Sequence, residues 1–393
     1  MSVTRRHFFF GSLALPAFAA KKPAPERPNL LLILVDDLSS WALGSGGNKE
    51  FRTPNLDRLA QTGTRFFNHF VCTPAPALSR ATLLTGLTPM QLGDSGDASA
   101  GDRSIEKIIT GLGYVSSSAD SSAAGQFLDQ QAAGKPFFLT VNCPRLHAPY
   151  DGVAQKYRDL YAQAKFETLD AQRAPAANAR RGKEMFADLI GNLRKVAAAI
   201  TSLDDDVGAM LAKLTERRLL DNTPIVFTST CGALLGRHGL WDSGEASDPV
   251  NLYEEAVGTP LLWSWPGHIP AQAVRPELVS TYDFVPTVCD LLGAEPPSRN
   301  LCGRSYLLPA TGKPLPKKQP WRTTVFSHYQ NTDMARVERY KLVTRDQGKG
   351  PGELYDLVTD PTEKVNQYEN PQFMTIRAPL ADHLAAWKQK FSQ

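Results

Sequence analysis

Asn29-Leu-Leu-Leu-Ile-Leu-Val35, followed at once by Asp36-Asp37, is the stretch on which the fold turns. Leu30 to Val35 is an unbroken aliphatic run. Without polar alternation it reads as a strand buried on both faces, the habit of parallel sheets covered by helices. Two adjacent carboxylates at the end of such a strand are costly to keep charged unless a cation lies beside them. In open α/β sheets that end of the strands is where ligands bind. Clustered carboxylate oxygens suit a hard cation such as Ca²⁺ or Mg²⁺.

Outward from this strand, Thr53–Thr62 reads as a helix, with Thr53 as N-cap, Pro54 at the first helical position and Leu56, Leu59 and Ala60 on one face. After the turn Pro74-Ala-Pro-Ala-Leu78, a second helix is expected to begin at Arg80. A helix N-terminus favours anions, and an arginine there adds a planar fork matched to sulfate or phosphate. Ile105 to Val115 reads as helix, turn and strand, and Phe137 to Val141 as a buried strand leading towards His147. Lys183–Leu220 repeats apolar residues at helical spacing, and Asp204-Asp205-Asp206 within it reads as an exposed face. Ile225–Thr228 and Pro260–Trp263 read as further strands, the first followed by the loop Ser229–Asp242.

This alternation predicts an α/β domain over residues 27–310, a mostly parallel sheet covered by helices. Past residue 310, Trp321–His328, Met334–Val343 and Glu353–Leu357 look like short antiparallel strands and Ile376–Phe391 like a closing helix. Residues 311–393 are therefore expected to form a smaller antiparallel sheet plus helix.

At 393 residues, 42% of them apolar, the chain is long enough for a large core. The balance of 43 basic against 40 acidic residues leaves no basic patch or tail for nucleic acid. Residues 1–19 read as a signal peptide: Arg5-Arg6 precedes the apolar run Phe8–Ala19, too short to span a membrane. Thr4-Arg5-Arg6-His7-Phe8-Phe9 looks like a twin-arginine address, implying bacterial export to the periplasm or beyond, with a Sec signal as the alternative. Five cysteines, Cys72, Cys143, Cys231, Cys289 and Cys302, show no metal-binding spacing. Export permits a disulfide, and the odd count leaves at least one thiol unpaired.

Thr53-Pro54-Asn55-Leu56-Asp57-Arg58-Leu59-Ala60, Gly63-Thr64-Arg65-Phe66 and Ser79-Arg80-Ala81-Thr82-Leu83-Leu84-Thr85-Gly86 together resemble the N-terminal signature of the sulfatase family, part of the alkaline-phosphatase superfamily. The resemblance implies hydrolysis of sulfuric esters at a Ca²⁺ or Mg²⁺ centre. Its nucleophile is a formylglycine made from the first residue of Cys/Ser-x-Pro-x-Arg, and its substrates include sulfated carbohydrates and aryl sulfates. Carried over residue by residue, Asp36 and Asp37 match the first pair of metal ligands. Ser79 and Arg80 match the Ser-Arg of the nucleophile motif, and His147 matches the substrate-side histidine.

Several positions depart from the pattern. The nucleophile position falls on Pro76, which has no nucleophilic atom. Cys72-Thr73-Pro74 imitates the motif but lacks its arginine and would need an insertion before Ser79. The second metal pair is replaced by Thr230 and Cys231, with Gly232 retained. Ser116–Gly125 stands where the family carries Gly-Lys-x-His and reads as a deletion closed by small residues; Ser243 stands where a lysine is expected. His238 reads as structural. The losses fall on positions that contact metal or sulfate, while framework motifs persist. The expectation is a fold retained after its chemistry relaxed: a pseudoenzyme with weak or absent metal, no formylglycine, and a sulfated glycan, an aryl sulfate or a partner as ligand. The alternative is an active sulfatase with a rearranged site built on Cys72, Ser79 or Thr82.

Overall fold

A computed structural model describes residues 27–93, 103–131, 134–144, 146–150, 152–298 and 300–392. The export segment read at residues 1–19 lies outside them. Seven strands form the principal sheet: β1 (Leu30–Val35), β2 (Thr64–Phe70), β3 (Val115–Ala119), β4 (Phe137–Cys143), β5 (Ile225–Ser229), β6 (Leu261–Ser264) and β7 (Ala273–Ser280). Their order is β3-β4-β1-β5-β6-β2-β7. β1 lies between β4 and β5, parallel to both, and only β6 runs against its neighbours.

The aliphatic run is buried on both faces. Leu31, Ile33 and Val35 enter one core with helices Pro54–Gln61, Ser121–Gln130 and Leu189–Glu216. Leu30, Leu32 and Leu34 enter the opposite core with helices Pro76–Thr85, Ile105–Gly111 and Phe284–Leu292. Every residue of β1 is fully buried, so each side chain contributes about 1.5–3 kcal/mol relative to exposure.

The second sheet is antiparallel, ordered β11-β10-β9-β8, from β8 (Val325–Tyr329), β9 (Thr332–Arg336), β10 (Tyr340–Arg345) and β11 (Glu353–Asp356). Met334–Val343 is thus not one strand but the inner part of a hairpin, turned between Val337 and Tyr340. Helix Met374–Phe391 packs on this sheet: Leu384 and Trp387 meet Ala335 there, together with Cys72 and Tyr282 of the larger body.

Three expectations need correction. The helix expected to start at Arg80 starts at Pro76, so Arg80 lies in its second turn. Ser116–Gly125 does not merely close a gap: it supplies β3 and the start of helix Ser121–Gln130. Asp204 is fully buried, not exposed. Its carboxylate accepts from the Asn55 backbone N–H (3.0 Å), the Asn55 amide (2.9 Å) and the Leu56 N–H (2.8 Å). It thereby caps helix Pro54–Gln61, whose own Thr53 makes no side-chain cap bond.

Candidate active site

The loops leaving β1 and β5 are joined by backbone hydrogen bonds, Thr230 N–H to the Val35 carbonyl and Leu38 N–H to the Cys231 carbonyl, both 2.9 Å. That pairing sets Thr230 and Cys231 against Asp36 and Asp37. Gly232 follows because the loop passes so close to Glu255 that a Cβ would lie 1.9 Å from its carbonyl oxygen. The Thr230 hydroxyl donates to Asp36 Oδ1 at 2.6 Å, and the Cys231 thiol donates to Asp37 Oδ1 at 2.9 Å.

Two cations complete the cluster. Arg80 Nη2 lies 3.1 Å from Asp36 Oδ1 and 3.4 Å from Oδ2. His147, beyond the end of β4, places Nδ1 2.7 Å from Asp37 Oδ2 and Nε2 3.8 Å from Asp36 Oδ2. Burial opposes charge on Asp36, but hydrogen bonds from His147 and Thr230 and the Arg80 charge outweigh it and hold its pKa below the ordinary value. Hydrogen bonds to Asp36 and Asp37 push the His147 pKa up to about 10 against the opposing effect of burial, so this imidazole is cationic at neutral pH. Burial, followed by the Asp37 charge, raises the Cys231 thiol well above its usual range.

The structure thus brings together Asp36, Asp37, Arg80, His147, Thr230 and Cys231. It does not bring Ser79, whose hydroxyl is buried without a partner. Pro76 occupies the first turn of its helix, a place where proline fits because its missing N–H would be unpaired anyway. Cys72 is fully buried, and its backbone carbonyl accepts from His328 N–H of the second sheet at 2.8 Å. Burial, then Cys302 and Asp283, raises its thiol pKa well above the usual value. Among the described residues no two cysteines are joined by a disulfide. His238 stacks on Tyr253 at 3.7 Å and faces Glu255 at 3.4 Å, outside the cluster.

Two residues escaped the sequence reading. Asn142 near the end of β4 accepts from Arg80 Nη1 and donates to Ser118 of β3 at 2.8 Å, tying the arginine to the shortened segment. Its signal is a polar residue breaking the apolar run at the ligand-binding end of a strand. Asp242 is pushed up to about 6 by burial, then by the charges of Asp37 and Glu184; beside Trp241 nothing in the sequence marks it.

The donor set does not fit Ca²⁺ or Mg²⁺. Such ions take about six to eight oxygens, Mg²⁺ about six in a strict octahedron. Here two carboxylates and a hydroxyl are joined by a protonated thiol, which is a soft and poor ligand for either. Among the described residues no group of three or more His, Cys, Asp or Glu is arranged to hold a metal ion.

Comparison with known proteins identifies the family. The family model described as "Sulfatase" matches residues 28–122 and 98–294, and that described as "N-sulphoglucosamine sulphohydrolase, C-terminal" matches 236–390. N-acetylgalactosamine-6-sulfatase of Sus scrofa is 27% identical over 384 residues, covering 79% of this chain and 70% of its own. Arylsulfatase A of Homo sapiens is 27% identical over 443 residues, covering 90% and 85%. Among solved structures, BT4656 in complex with its substrate D-glucosamine-2-N,6-O-disulfate superposes with a TM-score of 0.80 at 19% identity, covering 93% of this chain and 98% of that one. The phosphonate monoester hydrolase of Agrobacterium radiobacter gives 0.78 at 21% identity, covering 93% and 96%. The chain belongs to the sulfatase family of the alkaline-phosphatase superfamily, whose reaction at family level is sulfate-ester hydrolysis and whose members typically use a divalent metal.

Proposed function

We propose that this protein is an exported pseudoenzyme of the sulfatase family that binds sulfated carbohydrate without hydrolysing it. One observation carries the reading. All four carboxylate oxygens of Asp36 and Asp37 are engaged by protein donors: Arg80, His147, Thr230 and Cys231. Two protein cations balance the two carboxylates, leaving no anionic cage for a divalent ion. Proline at residue 76 offers no atom to attack sulfur. The alternative built on Cys72, Ser79 or Thr82 is less favoured, because all three side chains are fully buried.

Ligand binding needs less than catalysis. Arg80 and His147 keep 28% and 47% of their side-chain surface exposed, enough for positive charge to meet a sulfate group. The relative named N-acetylgalactosamine-6-sulfatase and the neighbour solved with a disulfated glucosamine support a sulfated sugar as the ligand class. Export rests on Arg5-Arg6. No helix among the described residues is long and apolar enough to cross a membrane.

The test is calorimetric titration with D-glucosamine-2-N,6-O-disulfate beside an assay for released sulfate. Saturable binding without release above the enzyme-free rate is expected. Arg80→Gln should weaken that binding about tenfold, the worth of one charge-assisted hydrogen bond. Sustained sulfate release would overturn the pseudoenzyme reading, and absence of binding would overturn the ligand class.

A further inference from the structure

A cavity of about 250 Å³, away from the Asp36 cluster, opens between β2, the turn Trp41–Gly46 and the start of helix Glu254–Val257. None of Asp36, Asp37, Arg80, His147, Thr230 or Cys231 lines it. Its walls hold a surplus of donors. Arg336 is 7% exposed, and its Nε and Nη1 are buried without a hydrogen-bond partner. Trp41 Nε1 and Ser45 Oγ, on the same cavity, are likewise buried and unpartnered. A buried donor left unmade is costly, so four of them on residues that line one space point to a missing acceptor.

The charge of the lining gives the acceptor its sign. Arg65, Arg237 and Arg336 face Glu254 and Glu255, three positive charges against two negative. Both carboxylates are already spoken for. Glu254 pairs with Arg336 Nη2 and Lys341, each at 3.3 Å, and Glu255 pairs with Arg237 at 3.2 Å. The one unbonded carboxylate oxygen here, Glu255 Oε2, faces His238 at 3.4 Å. Among the described residues Arg65 has no carboxylate partner, and His69 on the same wall is neutral because burial lowers its pKa to about 4. The rest of the wall is largely apolar, with Leu43, Phe66, Phe70 and Leu262 beside the polar Ser40 and Asn68. Ligand pockets usually span about 300–1,000 Å³, so this one suits a single small molecule and not a length of polysaccharide.

We propose that this cavity binds a small organic anion, an oxyanion head held by Arg336, Arg65, Trp41 and Ser45 with a compact apolar body against the phenylalanines. This site is independent of the Asp36 cluster and of whether that cluster hydrolyses anything.

The full chain is titrated calorimetrically with inorganic sulfate, inorganic phosphate and benzoate. Saturable binding of at least one is expected, with one-to-one stoichiometry retained in Arg80→Gln, where the Asp36 cluster is disabled, and the preference among the three identifying the head group. Trp41→Phe removes one donor while leaving a ring beneath the Arg237 guanidinium, now 3.9 Å away, so the fold should persist with an unchanged melting temperature. That variant and Arg65→Gln should each weaken binding about tenfold, whereas Arg80→Gln should leave it unchanged. No saturable binding of any of the three anions would mean that ordered water alone fills the space, and would overturn the proposal. Affinity indifferent to Trp41→Phe and Arg65→Gln, or lost in Arg80→Gln, would place the anion elsewhere and overturn it equally.

Discussion

Proline at residue 76 sits where a helix tolerates it, so on the proposed reading the nucleophile position lost its reactive atom without loss of structure. On that reading repair of this residue alone is insufficient, because Thr230, Cys231 and Ser243 still stand where the family pattern has two metal ligands and a lysine. Pro76→Cys, expressed with the formylglycine-generating enzyme, is expected to leave aryl-sulfate hydrolysis at background. Each missing electrophilic group can be worth roughly 3 kcal/mol in the transition state, and defects acting on one step are not repaired singly. Thr230→Asp with Cys231→Asn replaces a hydroxyl and a thiol by oxygen ligands. Calorimetry should then detect Ca²⁺ binding in that double variant and none in the parent. Tight binding by the parent would show that the cluster accepts a cation after all. His69 gives a separate residue-scale prediction. Burial lowers its pKa to about 4 against a hydrogen-bond contribution from Thr259, so the unfolded chain binds its proton first as pH falls. Its stabilising effect is complete above about pH 6.5, declines between 6.5 and 4, and levels off below; the full amplitude is on the order of 3 kcal/mol. His69→Asn should flatten that part of the stability profile measured by urea unfolding, and an unchanged slope would exclude His69 as its source.

Among the elements, Asp204 shows most clearly what a linear reading misses. Three consecutive aspartates look solvated, yet the first turns inward to cap helix Pro54–Gln61 from 149 residues away. Asp204→Ala would strand three donors and is expected to cost roughly 2–4 kcal/mol. Asp204→Asn, which keeps one acceptor, should cost less, and equal denaturant midpoints for the two would contradict the capping role. β1 was legible because a strand covered on both faces writes an unbroken aliphatic run. β2 was not, because Arg65, Asn68 and His69 interrupt its apolar residues while long-range pairing to β6 and β7 supplies its stability. β7 carries Pro276, which is tolerated because β7 is an edge strand. The β9–β10 turn passes through Glu338-Arg339, with no glycine or proline to mark it. At the site, Asp36, Asp37, Arg80 and His147 were legible as motif positions. Asn142 acquires its importance only from its two partners in space.

At the scale of the molecule, the second sheet is fastened to residues 250–254, whose neighbour Glu255 holds the loop that presents Asp36 and Asp37. Lys341 of β10 is fully buried, donates to the Leu252 carbonyl at 2.8 Å, and pairs with Glu254 and Glu363. Arg345 of the same strand reaches the Val250 carbonyl at 3.0 Å. Glu255, the residue after Glu254, accepts at its carbonyl from Ser39 Oγ at 2.6 Å, two positions after Asp37. Burial alone would depress the Lys341 pKa, but the charges of Glu363 and Glu254 outweigh it and raise it, so the lysine stays charged. Removing one member of such a pair is far worse than removing both, because an unpaired buried charge remains. Lys341→Met is therefore expected to destabilise the chain by about 3–5 kcal/mol. Adding Glu363→Gln should recover more than half of that loss: it removes the orphaned charge and keeps an acceptor for the Glu254 N–H, now 2.6 Å from Glu363 Oε2. Urea unfolding of parent, single and double variants measures both quantities. If the double variant is no more stable than the single, the contribution of Lys341 lies in its contact with the Leu252 carbonyl and not in the ion pair.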